Sequence, residues 1–91
     1  MKSFILILLL AISAVAAPKG WPKEVQEIKY PSKADNTHQP ALFYAPAGRA
    51  KPRPLLVGLH SWSGDYRQNN SPYGKWCIEQ KWNFIHPNFR G

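Results

Sequence analysis

The sequence predicts an α/β fold in which an antiparallel pair of strands precedes a strand–helix–strand crossover. Two short stretches with strand character, 25–30 and 41–45, are separated by residues that favour turns. The apolar run 54–59 does not alternate with polar residues, which is typical of a parallel strand covered on both faces. A stretch with helical spacing then leads to a last strand at 82–87, and the two strands of such a crossover run parallel.

The first 17 residues have the pattern of an export signal. Lys2 precedes the apolar stretch 4–12, and the small residues 13–17 offer an A-x-A-like cleavage site. The alternative is a membrane anchor, but this apolar stretch is shorter than the roughly 20 residues that cross a bilayer. We therefore expect a signal peptide over 1–17, a mobile mature N-terminus over 18–24, and a secreted or periplasmic protein with no stable membrane span.

The composition sets the class of partner and the size of the core. The formal net charge is +7, from 12 basic and 5 acidic residues, and the basic residues are scattered. Scattered charge favours an ordinary solvated surface over a polyanion-binding patch, so we expect no nucleic-acid partner.

Cleavage after Ala17 would leave a chain near the lower size limit for a domain with its own core. Cys77 has no partner for an intrachain disulfide, so it is either buried or available for pairing elsewhere.

The first two strands should pair at the edge of a sheet. Ile28 and Tyr30 recur at a two-residue period, which places both side chains on one face of the first strand. Turn-forming residues fill the interval 31–39. The second strand lies between Pro40 and Pro46, and proline is tolerated at a sheet edge because no hydrogen bond is required there.

The crossover helix should begin at Ser71. A polar loop over 61–70 follows the apolar strand, Ser71 is a favourable N-cap, and Pro72 suits the first helical position. The residues that follow at helical spacing are Tyr73, Trp76, Cys77 and Gln80. Gly74 weakens this helix by roughly 1 kcal/mol relative to Ala. The last strand at 82–87 ends in the turn-like residues 88–91.

Three segments resemble an α/β-hydrolase of the prolyl-oligopeptidase-like type, a group that includes related secreted esterases. The run 54–60 is similar to the family's third strand with its terminal His, and 61–65 is similar to the oxyanion turn that follows it. The segment 86–91, HPNFRG, is similar to the P-x-x-R-G stretch after the fourth strand. The resemblance covers 25–91, which is therefore expected to be a partial α/β-hydrolase domain with an incomplete sheet.

The resemblance implies a serine peptidase or esterase that transfers an acyl group from a peptide or ester substrate to water, with no cofactor. The family's nucleophile, acid and catalytic His follow the fourth strand, so all three would lie beyond Gly91. The sequence up to Gly91 contains no G-x-S-x-G motif, so this chain alone is expected to be inactive. The end at Gly91 is compatible with a natural stop or with a truncation.

The resemblance also assigns roles around His60. The residue two positions after the family's His supplies an oxyanion-hole amide, which here is Trp62. His60, Ser61 and Gly64 would shape the turn, and the side chains of Trp62 and Tyr66 would form a wall of the substrate pocket. The family's commonest turn is His-Gly-Gly, whereas Ser61 and Trp62 occupy the glycine positions of this chain.

Other chemical interpretations of these residues have less support in the sequence. His38, His60 and His86 are widely separated and have no ligand spacing, so no metal site is expected. Ser61 and Ser63 are nucleophiles by type only, because neither lies in a G-x-S-x-G motif.

A small secreted carbohydrate-binding or interaction module is the alternative function. Trp62 and Tyr66 could stack on a sugar ring, and the chain has four tryptophans. The crossover pattern argues against this class, since small binding modules are usually all-β or stapled by disulfides. The role of Arg90, in turn stabilisation or substrate contact, stays open, as does the oligomeric state.

Overall fold

A computed structural model describes residues 14–48 and 51–89. Most of the expected signal peptide, residues 1–13, and the last two residues of the P-x-x-R-G segment lie outside the described residues. The elements in chain order are β1 (Ala14–Ala16), β2 (Gln26–Ser32), β3 (Thr37–Tyr44), β4 (Leu55–Val57), α1 (Ser71–Gln80) and β5 (Asn83–Pro87). No helix in these ranges is long and apolar enough to cross a membrane.

The strands form one mixed sheet in the order β1-β2-β3-β5-β4. The pairs β1–β2, β2–β3 and β3–β5 are antiparallel, and β4–β5 is parallel. Leu42 lies opposite His86, and Leu56 lies opposite Phe84, so these four side chains share one face. The sheet and the one helix within residues 14–48 and 51–89 confirm the α/β prediction, including the antiparallel pair and the parallel strands of the crossover.

The β2–β3 hairpin is longer than the sequence indicated. The expected turn over 31–39 shortens to residues 33–36, with Asn36 in the left-handed region at φ 58°. The side chain of Asp35 accepts hydrogen bonds from the amide and hydroxyl of Thr37, at 3.2 and 2.7 Å. Pro31 is compatible with β2 because, among the described residues, β1 pairs with residues 26–28 and Pro31 has a strand partner on the β3 side alone.

The helix begins one residue earlier than predicted. Asn70 is the N-cap, and Pro72 lies inside the first turn, where a missing N–H costs nothing. Ser71 was expected to be the N-cap. Instead its amide and hydroxyl donate to the side-chain oxygen of Asn69, at 3.3 and 2.7 Å. The helix ends at Lys81 in the left-handed conformation (φ 60°), which reverses the chain into β5.

The core lies between α1 and one face of the sheet. Its buried members are Trp21, Val25, Leu42, Cys77 and Phe84. Trp21 is the one buried residue of the stretch 18–24, which the sequence predicts to be a mobile N-terminus. Cys77 is a buried free thiol, as the first of its two interpretations required.

The opposite face of the sheet is open in the described structure. The pairing register places Ile28, Phe43, Ile85 and Val57 on this face, away from the core cluster. The sequence predicts a β4 that is covered on both faces. Among the described residues, β4 is a three-residue edge strand with more than half of the Leu55 and Val57 surfaces exposed. The apolar composition of β4 therefore exceeds what the described fold covers.

Candidate functional site

The candidate site lies at the carboxyl ends of β4 and β5. These two strands are parallel and adjacent, so the β4–α1 connection and the residues after β5 meet at one edge of the sheet. Open α/β sheets usually bind ligands at this edge. All the site residues assigned from the sequence belong to the β4–α1 connection, namely His60, Ser61, Trp62, Gly64 and Tyr66.

His60 joins the β4–α1 connection to the segment after β5. Its Nε2 accepts the Phe89 amide hydrogen at 3.2 Å, and the two rings stack with centroids 4.0 Å apart. Nδ1 lies 2.9 Å from the Ser61 carbonyl and therefore donates to it. Both nitrogens of this buried imidazole are occupied, which supports a turn-shaping role and leaves no free nitrogen for base catalysis.

The turn after His60 is braced by Gln68. The Gly64 amide donates to the Ser61 carbonyl at 3.0 Å and closes the turn. Oε1 of Gln68 accepts from both the amide and the hydroxyl of Ser61, each at 2.8 Å. A Cβ at Gly64 would displace this carboxamide, which is the end of a flexible side chain, so glycine favours the brace in its present position. The Ser61 hydroxyl is thus engaged in holding the turn.

Trp62 occupies the first central position of this turn. Its amide makes no hydrogen bond to any described residue, whereas the neighbouring Ser61 and Gly64 amides are engaged. The indole is 91% exposed. Trp62 therefore offers a free backbone donor on a braced turn, with its side chain extended into solvent.

Tyr66 lies on the inner side of the same connection. Its side chain packs against the core cluster, and burial raises the pKa of its phenol, with Glu27 adding to the effect. The structure thus places Tyr66 inward and Trp62 outward, and it does not form a common wall from the two side chains.

His86 is a second buried imidazole at this edge. Its Nδ1 donates to the Tyr66 carbonyl at 2.7 Å, and its Nε2 accepts from the Asn70 side-chain amide at 3.0 Å. Burial lowers its pKa, and the hydrogen bond to Tyr66 opposes that shift. His86 is fully buried beside Trp21. It holds the loop before α1 against β5.

Three polar residues of the site had no signal in the sequence pattern: Gln68, Asn70 and Asn88. The side-chain oxygen of Asn88 accepts the Tyr66 amide hydrogen at 3.3 Å, across 22 positions of sequence. Such residues are ordinary in loops, and only the fold brings them to their partners. None of the three belongs to a motif that spacing alone would reveal.

The charged pair in this loop is local and exposed. Arg67 Nη2 lies 2.8 Å from the Asp65 carboxylate, and this hydrogen-bonded contact lowers the pKa of Asp65. The Arg67 guanidinium also lies 5.6 Å from the Tyr66 ring centroid. An exposed ion pair contributes little to stability, so its main effect is to set the local backbone shape.

The three histidines do not form a metal site. No group of three or more His, Cys, Asp or Glu in residues 14–48 and 51–89 could hold an ion. His60 and His86 already use both ring nitrogens in hydrogen bonds, and His38 is exposed in the hairpin.

A groove of about 470 Å³ lies beside the site, along β4 and the start of α1. It is lined by Leu56, Val57, Gly58, Leu59, Asn70 and Tyr73.

No family model matches this chain, and no curated protein or solved structure is significantly similar to it.

Proposed function

We propose that this chain is the N-terminal portion of an exported serine hydrolase, a peptidase or esterase. The observation that supports it most is the free Trp62 amide on the turn at the carboxyl end of β4. A hydrolase of this type needs fixed N–H donors where negative charge develops on the attacked carbonyl oxygen. The brace from Gln68 and the stacked His60 hold this donor in place.

In the proposed reaction, a Ser attacks the carbonyl carbon of a peptide or ester, and water later releases the acyl group. Trp62 would donate one hydrogen bond to the oxyanion, and a second donor and the triad would come from residues beyond Gly91. His60, Ser61 and Gly64 would keep the turn in shape. The reaction needs no cofactor, and this chain alone is expected to be inactive.

The reading frame after Gly91 tests the proposal. We expect it to continue into a G-x-S-x-G motif, and we expect the full-length protein to react with a fluorophosphonate at that Ser. The same probe should leave residues 1–91 unlabelled. A stop codon directly after Gly91, or labelling of Ser61 or Ser63, would contradict the proposal.

Export is part of the same proposal. Cleavage after Ala17 would remove β1, a short exposed strand whose one partner among the described strands is β2. The rest of the sheet does not depend on β1 for a core residue, since the buried core begins at Trp21. We expect mass spectrometry of the secreted protein to find an N-terminus at or next to Pro18. Retention of Met1 in the secreted material would contradict a cleaved signal.

The exposed indole of Trp62 favours a second candidate, a carbohydrate-binding module. An aromatic ring that is 91% exposed is available to stack on a sugar. Polysaccharide binding that is lost in Trp62→Ala and kept in Trp76→Ala, without esterase or peptidase activity in the full-length protein, would support this candidate over the hydrolase.

A further inference from the structure

The sequence contains one acceptor motif for N-linked sugar. Asn69, Asn70 and Ser71 form an N-x-S motif whose middle residue is not proline, and such motifs mark the asparagines that receive a glycan in secreted proteins. No other asparagine of the chain is followed two positions later by Ser or Thr. A motif this short also occurs by chance, so its structural setting decides whether it is a site.

The structure places Asn69 on the surface, in the loop that leads into α1. Its side chain is exposed, whereas Asn70, Asn83 and Asn88 are each partly buried. A glycan is bulky and hydrated, so an asparagine can hold one only where the folded chain leaves room for it. Within the described structure, Asn69 meets this condition.

The side-chain amide of Asn69 has a defined orientation. The amide and hydroxyl of Ser71 lie 3.3 and 2.7 Å from one of its atoms, and this atom is the oxygen because a backbone amide can only donate. Nδ2 of Asn69 therefore points away from Ser71, and it makes no hydrogen bond to any described residue. The Nδ2 of Asn70 differs, since it donates to Nε2 of His86 at 3.0 Å.

We propose that Asn69 is N-glycosylated during export. The inference rests on the export part of the proposed function, and it assigns export to a secretory compartment that supplies both the transferase and the sugar donor. This donor is an oligosaccharide joined through a diphosphate to a lipid. This chain is the acceptor and supplies no catalytic group.

The transfer replaces one bond of the donor by one bond to Asn69. Nδ2 forms a bond to the anomeric carbon of the first sugar, and the bond from that carbon to the diphosphate oxygen breaks. The lipid diphosphate leaves with the electron pair, and Nδ2 loses one proton. No group is oxidised or reduced.

The modification leaves the start of α1 intact. A glycosylated side-chain amide keeps its oxygen, which can still accept both hydrogen bonds from Ser71. The sugar is attached at the nitrogen, on the side that points away from Ser71. Asn69 belongs to the β4–α1 connection, as Trp62 does, so the glycan would project from the same edge of the sheet as the candidate site.

Pro72 directly follows the motif and should lower the efficiency of its use. Proline restricts the backbone of the residue before it, so Ser71 has fewer conformations available in the unfolded chain that meets a transferase. We therefore expect only part of the secreted chain to be glycosylated, and we expect Pro72→Ala to increase this part.

Mass spectrometry of the full chain from a eukaryotic secretory host tests the site. A leader of the host is fused ahead of Met1, so that delivery does not depend on the chain's own N-terminus. Peptide N-glycosidase in heavy-oxygen water converts a glycosylated asparagine into an aspartate that contains the heavy oxygen. We expect this label at Asn69 and at no other asparagine.

Three variants separate the acceptor from the fold. Asn69→Asp keeps an oxygen for Ser71 and removes Nδ2, so we expect it to lose the glycan completely with unchanged near-UV circular dichroism. Ser71→Ala removes the hydroxyl that the motif requires and should also lose the glycan, whereas Ser71→Thr should keep it.

Absence of the label at Asn69 in the fusion would overturn the proposal, as would a glycan that persists in Asn69→Asp. Equal glycosylation of Ser71→Ala and Ser71→Thr would overturn it too. Export is measured separately, as secretion of the chain under its own N-terminus. A fusion glycosylated at Asn69, together with an unfused chain that stays inside the cell, would support Asn69 as the acceptor and contradict the export proposal.

Discussion

The two buried histidines of the site use their ring nitrogens in the same way. Each imidazole donates from Nδ1 to a carbonyl and accepts at Nε2 from an N–H group. At His86, protonation would put a second donor in front of the Asn70 donor at Nε2. The partner of the His60 Nε2 is the Phe89 backbone amide, whereas the partner of the His86 Nε2 is a side-chain amide.

The lowered pKa of His86 predicts a stability that falls in acid. The unfolded chain binds a proton near the ordinary histidine pKa of about 6.5, before folded His86 does. Stability is therefore complete above that pH and declines as the pH falls toward the folded pKa, by at most about 1.4 kcal/mol per pH unit. We expect the melting temperature to fall between pH 7.5 and 5. The fall should be smaller in His86→Gln and unchanged in His38→Gln, an exposed control. Equal slopes in the two variants would contradict the role of His86.

The free amide of Trp62 predicts a kinetic effect in a full-length form of the protein. Trp62→Pro removes the N–H, whereas Trp62→Ala keeps it and removes only the exposed indole. We expect the Pro variant to lower kcat by roughly 10²–10³ beyond any loss in the Ala variant, with unchanged near-UV circular dichroism. Equal kcat values would exclude Trp62 as an oxyanion donor.

The motif residues of the site were easier to predict than their supports. The order of a strand, a His and a small-residue turn singled out His60, Ser61 and Gly64, and each of them holds the turn in the structure. Gln68 and Asn88 were missed because their contacts depend on the path of the chain. The exposure of the Trp62 indole was not predictable either, because exposure at a turn depends on which residues occupy its central positions.

At the level of elements, the sequence predicted the identity and order of strands 2–5 and of the helix, with errors at their ends. The β2–β3 hairpin is longer than predicted because Asp35 and Asn36 suit a tight turn, so fewer residues are needed to reverse the chain. β1 was missed because Ala14–Ala16 is part of a stretch with the pattern of a cleavage site. The edge position of β4 could not be predicted, since its composition is that of a central strand.

The crossover depends on a close approach at Gly58. A Cβ there would lie 2.9 Å from Cδ2 of His86, within a buried ring. At Gly74 in α1 the nearest neighbour of a Cβ is the Trp21 ring at 3.4 Å, an ordinary contact distance. We expect Gly58→Ala to cost about 1–3 kcal/mol. Gly74→Ala should be neutral or stabilising by up to about 1 kcal/mol, because alanine favours the helix.

Urea unfolding of the two alanine variants measures this difference. The same methyl group is added in both, so the comparison isolates the space around it. If the urea midpoint of Gly58→Ala is at or above that of the unsubstituted chain, β4 and β5 can move apart without loss of stability.

On the scale of the whole molecule, charge and burial are distributed unequally over the two sheet faces. The strand residues that share the open face in the pairing register carry no charge, in a chain with a net charge of +7. An uncharged face with apolar residues at its centre is suited to being covered. The helix face already is, through α1 and the segment around Trp21. One layer of packing therefore supplies most of the stability of the described domain.

Leu42 and Phe43 test this inequality, since they are neighbours in β3 on opposite faces. Leu42 is fully buried in the core, and Phe43 is half-buried on the open face. Leu42→Ala removes buried contacts and leaves a cavity, at a cost of about 2–5 kcal/mol, which is enough to abolish cooperative unfolding in a domain of this size. Phe43→Ala removes a larger side chain, but water already reaches it, so the urea transition should persist with a small shift. If the two substitutions destabilise the chain equally, the face opposite the helix must be covered in solution by a surface that lies outside the described residues.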